Sequence, residues 1–222
     1  MKIPYVFFDL DGTLTDPGVG ITNAVMYALK RFGIEVKNRQ TLYSFIGPPL
    51  LDSFRERYGF DETASRKALE YYREYFEDTG IFENRVYEGI PEMLDGLKKA
   101  GKKLVLATSK PEMYASRILD HFSLSRFFSF QAGSLPDEKR SRKSEVITFA
   151  LECCKIDTPD TVIMVGDRKY DVEGARVCGI RTLGVLYGYG GRKELEGAGA
   201  DYIAEQSEMP GEFFRGCKTC HI

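Results

Sequence analysis

The stretch Tyr5-Val6-Phe7-Phe8-Asp9-Leu10-Asp11-Gly12-Thr13 decides how the rest of the chain is interpreted. Its first four residues are bulky and mostly apolar, which predicts a short strand buried in a sheet. Two carboxylates, Asp9 and Asp11, follow that strand directly. Because ligands of open parallel sheets bind at the carboxyl ends of the strands, these two side chains are candidates for a functional site.

Strands and helices alternate along most of the chain. Short runs rich in β-branched and aromatic residues predict further strands at 103–107, 127–131, 161–165, 181–186 and 201–203. Helical periodicity lies between them, at about 90–100, 112–122, 143–154, 171–178 and 191–198. Apolar strands that alternate with helices predict an α/β fold, with a parallel sheet covered on both sides.

Residues 16–85 interrupt this alternation and contain no good strand. Apolar residues recur there at helical spacing in three stripes, at 21–32, 50–58 and 68–76. A chain of 222 residues is long enough for one domain with a small insert. We therefore predict an all-helical insert at 16–85 and an α/β core formed by residues 1–15 and 86–222.

Charge and hydropathy exclude several classes of protein. The chain has 31 Lys and Arg against 33 Asp and Glu, so no excess positive charge is present to bind a nucleic-acid polymer or an anionic membrane. No apolar run approaches the roughly 18 residues of a membrane span. The N-terminal residues lack the apolar segment of a signal peptide, so a cytoplasmic location is expected.

The five cysteines do not form a disulfide framework in a chain of this size, so reduced thiols are expected. The segment Cys217-Lys218-Thr219-Cys220-His221 matches the pattern of c-type haem attachment. Because no export signal accompanies it, we expect reduced thiols there too, with adventitious zinc binding ahead of haem.

Other predicted strands also end in polar side chains. Thr108-Ser109-Lys110 follows the strand at 103–107, and Gly166-Asp167 follows the strand at 161–165. Asp171 comes four residues later, and Lys143 begins the helix before that strand. A turn would explain the first acidic stretch alone, but it does not explain polar groups after three strands.

Carboxylates as close as Asp9 and Asp11 need a counter-charge, because like charges at short range are costly. Mg²⁺ would supply it, with Asp167 as a third carboxylate from a neighbouring strand. An Asp carboxylate can also act as a nucleophile and form an aspartyl phosphate. Gly12 would let the backbone approach a phosphate group closely.

These residues, in this order, resemble the four motifs of the haloacid dehalogenase-like (HAD) hydrolase superfamily. The matching residues are Asp9-Leu10-Asp11-Gly12-Thr13, Thr108, Lys143 and Gly166-Asp167-Arg168-Lys169-Tyr170-Asp171. The resemblance covers essentially the whole chain and implies a Rossmann-like core. The insert resembles the helical-bundle cap of the phosphoglycolate-phosphatase-like branch.

The resemblance implies a role for each carboxylate. Asp9 would be the nucleophile and a Mg²⁺ ligand, and Asp11 would be the general acid and then the general base. The backbone carbonyl of Asp11 would be a further metal ligand. Asp167 would bind Mg²⁺ directly, with Asp171 beside it in the metal site. A carboxylate at Asp11 favours a phosphatase, because the dehalogenases of the superfamily lack one there.

The resemblance also implies which side chains bind the phosphate ester. Thr108 would hydrogen-bond the transferring phosphoryl group, and Lys143 would neutralise its charge. Thr13, at the end of the first motif, and Ser109, next to Thr108, are expected to bind substrate. The basic residues in the segment 135–143 leave open which of them meets the phosphate, although Lys143 fits the start of the following helix best.

The substrate signal lies outside the four motifs. The stretch Phe45-Ile46-Gly47-Pro48-Pro49-Leu50 resembles a cap segment in which the glycine lets the backbone approach substrate, although a Pro-rich helix breaker explains it equally well. Arg55 is a candidate contact to a base or ribose, with a solvated surface charge as the alternative.

Several further stretches resemble the bacterial 5′-nucleotidase-like subgroup. They lie at 16–22, 107–111, 166–171 and 184–190. We therefore expect a Mg²⁺-dependent phosphatase of small phosphate monoesters, with 5′-nucleotides ahead of phosphoglycolate. A phosphomutase and a non-catalytic phosphate-binding protein are the alternatives. A monomer or a homodimer is expected.

Overall fold

The computed structural model describes residues 3–135 and 140–207. Within them the chain divides into two compact units. One unit, the insert, is Asp16–Arg85, and the other, the core, is formed by the flanking segments up to Thr15 and from Val86 onward. The role of the insert as a substrate-selecting cap stays a prediction.

The described residues form eight strands. They are β1 (Tyr5–Phe8), β2 (Thr15–Asp16), β3 (Arg85–Val86), β4 (Lys103–Pro111), β5 (Phe128–Ser134), β6 (Val162–Gly166), β7 (Arg181–Val185) and β8 (Tyr202–Ala204). Six of them pair in parallel in the order β5-β4-β1-β6-β7-β8, and β2 pairs with β3. The predicted α/β fold with a parallel sheet is confirmed.

Helices follow the strands of the core and also build the insert. In chain order they are α1 (Gly18–Arg31), α2 (Leu50–Tyr58), α3 (Glu62–Tyr75), α4 (Ile90–Lys99), α5 (Glu112–His121), α6 (Lys143–Cys153), α7 (Lys169–Val177) and α8 (Arg192–Ala198). No helix among the described residues has both the length and the apolar character needed to cross a membrane.

Strand β1 lies in the middle of the sheet because its residues are apolar on both faces. Val6, Phe7 and Phe8 are fully buried, and Phe7 is in register with Val105 of β4 and Met164 of β6. Phe7 and Met164 belong to a buried cluster with apolar residues of α6 and α7. This register places the carboxyl ends of β1, β4 and β6 side by side.

The insert contains the three predicted helices and two further turns of helix. A 3₁₀-helix spans Arg39–Phe45, and a π-helical turn spans Phe76–Gly80. The insert is helical apart from its end residues, Asp16 and Arg85, which lie in β2 and β3. Strands of two residues carry no recognisable alternation of polar and apolar side chains, so the sequence does not reveal them.

Strand β4 extends further than the sequence predicts. Apolar residues end at Ala107, but the strand continues through Thr108, Ser109 and Lys110 to Pro111. The register with β5 is irregular between Ala107 and Pro111. The extension brings three polar residues into the sheet, and Lys110 is buried.

Candidate active site

The predicted site residues of the core meet at the carboxyl ends of β1, β4 and β6. Asp9 follows β1, and its backbone N–H donates to the carbonyl of Val165 in β6 over 3.0 Å. Asp167 follows β6, and Lys143 is the first residue of α6. The parallel order of the sheet therefore brings these side chains together from distant parts of the sequence.

Lys143 joins two of the carboxylates. Its Nζ lies 2.8 Å from Asp9 Oδ1 and 2.9 Å from Asp171 Oδ1, and it donates to the carbonyl of Ala107 over 3.0 Å. Burial alone lowers the pKa of Lys143, but the carboxylates of Asp171 and Asp9 outweigh burial and raise that pKa above its ordinary value. Lys143 therefore carries a permanent positive charge at neutral pH.

Asp9, Asp167 and Asp171 form a compact acidic group. Each offers a carboxylate oxygen, these oxygens lie within 4.8 Å of one another, and all three residues are buried. Burial is the main cause that raises the pKa of Asp167 well above its usual range, with the Asp171 charge adding to it. Burial also raises the pKa of Asp171, to about 6, against the opposing effect of Lys143. The three carboxylates of this group thus outnumber the one ammonium, of Lys143, that pairs with them.

Asp11 has a lysine of its own. Its Oδ2 lies 2.6 Å from Lys110 Nζ, and the side chains of this pair are 12% and 5% exposed. Burial raises the pKa of Asp11 more than the Lys110 ammonium lowers it. Lys110 is a residue of the site that the sequence did not assign. Had the strand been predicted to continue past Ala107, Lys110 would have been expected on the same face as Thr108, because residues two apart in a strand point to the same face.

A divalent cation fits this set of residues. Four buried carboxylates, of Asp9, Asp11, Asp167 and Asp171, surround two buried ammonium groups, of Lys110 and Lys143. When all six groups are ionised, two of the four negative charges have no positive charge to balance them, and one divalent cation would neutralise both. Clustered carboxylate oxygens are also the ligands that Mg²⁺ prefers.

Three glycines close the space around Asp167. A Cβ added to Gly12 or Gly188 would overlap the Asp167 side chain, and one added to Gly190 would overlap its backbone carbonyl. The N–H of Tyr189 donates to Asp167 Oδ2 over 2.7 Å. Gly12 also has φ +83°, which favours glycine. The segment that follows β7 therefore fixes the orientation of Asp167.

A family model described as "Haloacid dehalogenase-like hydrolase" matches residues 6–185. The chain belongs to the haloacid dehalogenase-like hydrolases. The predicted membership of this family is confirmed.

Known proteins similar to this HAD-like hydrolase include a 5′-nucleotidase of Pseudomonas aeruginosa, 45% identical over 195 residues that cover 88% of each chain. Tyrosine-protein kinase PtkA of Mycobacterium tuberculosis is 39% identical over 185 residues, which cover 83% of this chain and 62% of that one. A crystal structure of a predicted phosphatase from Clostridium acetobutylicum has a TM-score of 0.95 and 45% identity, covering 97% of this chain and all of that one. The prediction of a phosphoric monoester hydrolase is confirmed.

Three predicted hydroxyl residues, Thr13, Thr108 and Ser109, belong to the core of this HAD-like hydrolase. Thr108 is buried at the end of β4, and its Oγ1 accepts from the N–H of Lys110 over 3.3 Å. Thr13 is fully buried, with its Oγ1 3.4 Å from Asp167 Oδ1. Ser109 is half-buried between Thr108 and Lys110. Their expected contacts to substrate stay predictions.

Two predicted substrate-binding residues belong to the insert. Gly47 has φ +110° between the 3₁₀-helix and α2, a conformation that favours glycine. Arg55 lies on α2 and pairs with Asp52 at 3.5 Å and with Glu62. Their role in binding substrate stays a prediction. The segment 217–221 and residues 136–139 lie outside the described residues.

Proposed function

We propose that the protein is a Mg²⁺-dependent phosphatase that hydrolyses small phosphate monoesters through a phospho-aspartate on Asp9, with 5′-nucleotides as its substrate class. The observation that carries the proposal is the position of the Asp9 carboxylate, 2.8 Å from the Lys143 ammonium and grouped with the carboxylates of Asp167 and Asp171. A carboxylate between a fixed cation and a metal-ligand set suits nucleophilic attack on phosphorus.

In the first step, an oxygen of Asp9 attacks phosphorus, and the bond from phosphorus to the ester oxygen breaks. Asp11 gives its proton to the departing oxygen, so the alcohol leaves neutral and Asp9 carries the phosphoryl group. In the second step, ionised Asp11 takes a proton from water, whose oxygen attacks the same phosphorus. The bond from phosphorus to the Asp9 oxygen breaks, so phosphate leaves and the Asp9 carboxylate is restored. The raised pKa of Asp11, caused by burial, favours the protonated form that the first step needs.

Mg²⁺ would be held by the carboxylates of Asp9 and Asp167 and by the backbone carbonyl of Asp11, with Asp171 next to them. When bound, it neutralises negative charge on the phosphoryl oxygens. The glycines around Asp167 and the N–H of Tyr189 keep the Asp167 carboxylate in place for this purpose.

Thr108 and Lys143 are assigned to the transferring phosphoryl group. The Thr108 hydroxyl would donate a hydrogen bond to it, and Lys143 would neutralise the charge that it shares with Asp9. Ser109, which follows Thr108 in sequence, and Thr13, two residues after Asp11, are assigned to substrate binding. Such a site acts mainly by positioning and by stabilising charge, which is what phosphoryl transfer requires.

The substrate class is supported by the 45% identity to a named 5′-nucleotidase. Gly47 and Arg55 of the insert are assigned to the leaving group, which a nucleoside would provide. Phosphoglycolate is the alternative substrate, and a phosphomutase or a non-catalytic phosphate-binding protein are the alternative functions. A cytoplasmic monomer or homodimer completes the proposal.

Release of inorganic phosphate from a panel of esters tests the proposal. The panel contains AMP, IMP, UMP and phosphoglycolate, each with Mg²⁺ and with EDTA, and compares the wild type with Asp9→Asn. Exposed Asp157→Asn is the matched control. Metal-dependent release that Asp9→Asn abolishes and Asp157→Asn retains is the expected result, and the nucleotides should rank above phosphoglycolate.

Two outcomes of the panel contradict the proposal. Release that persists in Asp9→Asn would exclude the phospho-aspartate. Phosphate lost from an ester of the panel and recovered on an acceptor, with none free in solution, would indicate a phosphotransferase, a class to which the relative named tyrosine-protein kinase belongs.

A further inference from the structure

Asp11 and Lys110 form a buried ion pair at the carboxyl ends of β1 and β4. Its charged atoms, Asp11 Oδ2 and Lys110 Nζ, are 2.6 Å apart although the residues are 99 positions apart in sequence. Lys143 instead divides its charge between two carboxylates, Asp9 and Asp171. The two motif aspartates therefore have separate lysines.

The two oxygens of Asp11 have different surroundings. Oδ2 accepts from Lys110, whereas Oδ1 is buried and has no hydrogen-bond partner among residues 3–135 and 140–207. A buried polar oxygen without a partner is costly and calls for a specific use. One oxygen is thus held, and the other is left available for a proton or a ligand.

Lys110 is itself held firmly. Its backbone N–H donates to Thr108 Oγ1 over 3.3 Å, within a strand of the central sheet. The Lys110 side chain is only 5% exposed. A lysine with its backbone in a sheet and its stem buried loses few further rotamers when it bonds a carboxylate, so it orients that carboxylate well.

We propose that Lys110 is a positioning residue for proton transfer: it holds Oδ2 of Asp11 so that Oδ1 faces the ester oxygen of the substrate. The inference rests on the proposed function, in which Asp11 is the general acid. Lys110 makes no bond to the reacting atoms in this assignment. It also keeps the Asp11 carboxylate from swinging towards the metal-ligand group around Asp9.

The proposal predicts a dependence on the leaving group. As the bond from phosphorus to oxygen breaks, a nucleoside alkoxide needs the proton of Asp11, whereas p-nitrophenolate is stable without one. The ratio kcat/KM depends only on the steps up to and including formation of the phospho-aspartate, so it reports this first proton transfer. Removing Lys110 should therefore lower kcat/KM for AMP and spare kcat/KM for p-nitrophenyl phosphate.

The experiment compares Lys110→Met, Asp11→Asn and the double variant with both esters at saturating Mg²⁺. General acid catalysis contributes about 10²–10⁴-fold, so a loss of at least about 30-fold is expected for AMP in Lys110→Met and less than about fivefold for p-nitrophenyl phosphate. The double variant should be no worse on AMP than Asp11→Asn, because the two residues act as a unit. Lys99→Met, on the exposed face of α4, is the control.

Equal losses on both esters would overturn the proposal and place Lys110 on the phosphoryl group or in the fold. Additive losses in the double variant would overturn it too. If Lys110→Met does not fold, Lys110→Gln, which keeps a neutral donor, is compared in the same way. The failure of the proposed function is distinguishable, because then wild-type protein shows no release that Asp9→Asn abolishes.

Discussion

Replacing Lys143 by Met should destabilise the protein more at high pH than at low pH when no metal is present. The substitution keeps most of the aliphatic stem and removes the ammonium that lies 2.8 Å from Asp9 and 2.9 Å from Asp171. Removing one partner of a buried ion pair costs about 3–5 kcal/mol. This is the loss in the free energy of unfolding that we expect at about pH 8 with a chelator.

The loss should shrink as the pH falls, because a buried carboxylate without a counter-charge takes up a proton. Burial already raises the pKa of Asp171 to about 6 in the wild type, and removal of the Lys143 ammonium raises it further. Each pH unit below such a raised pKa recovers about 1.4 kcal/mol, so a change from about pH 8 to about pH 6 should cut the loss by up to about 3 kcal/mol. Mg²⁺ should also cut it, because it supplies positive charge.

Urea denaturation followed by far-UV circular dichroism measures these losses at both pH values, with Mg²⁺ and with EDTA. The control is Lys99→Met, whose side chain is 78% exposed and which should change stability by less than about 0.5 kcal/mol. An equal loss for Lys143→Met at both pH values, unaffected by Mg²⁺, would refute the electrostatic reasoning. The whole loss would then come from the packing of the aliphatic stem of Lys143. That stem lies close to Gly174, since a Cβ added to Gly174 would be 2.8 Å from the Cβ of Lys143.

Three further predictions follow from the contacts of the described residues. Gly188→Ala should weaken Mg²⁺ binding, measured by calorimetry, by at least about tenfold, because the added methyl group would overlap the Asp167 side chain. Gly191→Ala is the control and should bind Mg²⁺ like the wild type, because the space around its Cβ is open. Equal affinities of the two variants would contradict the prediction. In EDTA, the free energy of unfolding should fall by about 2–3 kcal/mol as the pH rises from about 4 to about 6, because the pKa of Asp171 is higher in the folded protein than in the unfolded chain. Asp171→Asn should remove this part of the pH dependence, and an unchanged pH dependence in that variant would contradict the prediction. Gly96→Ala should raise the free energy of unfolding by up to about 1 kcal/mol, because alanine favours the helix more than glycine does. Gly20→Ala should lower it by about 1–3 kcal/mol, because the added Cβ would overlap a backbone carbonyl. Melting temperatures that shift in the same direction for both variants would contradict the packing argument.

Most of the site in the core could be predicted from the sequence, because its polar side chains directly follow apolar strands. Asp9 and Asp167 each follow an apolar run, and both runs are central strands of the sheet. Parallel pairing then brings the two carboxylates together without any further information. Lys143 begins a helix, and the order of strands and helices places that helix start at the same edge.

The rest of the site depends on features that a single sequence does not display. Lys110 follows Thr108 and Ser109 past the end of an apolar run, where a lysine is usually solvated, and only the continuation of β4 to Pro111 buries it. Gly188 and Gly190 are spaced as in an ordinary turn, and their use becomes visible only when Asp167 is found against them. Both features arise from tertiary contacts, which a local pattern does not encode.

The separate lysines explain how two aspartates so close in sequence could perform different tasks. Asp9 shares Lys143 with Asp171 and also lies near Asp167, so its surroundings keep more negative than positive charge. The Asp11 carboxylate instead pairs with a second ammonium, that of Lys110, at 2.6 Å. A cation is therefore drawn to the side of Asp9, whereas Asp11, which has a lysine of its own, suits the proton transfer proposed for it. Moving the second ammonium to the acidic group would weaken both tasks at once, because it would compete with the metal and leave Asp11 unpaired.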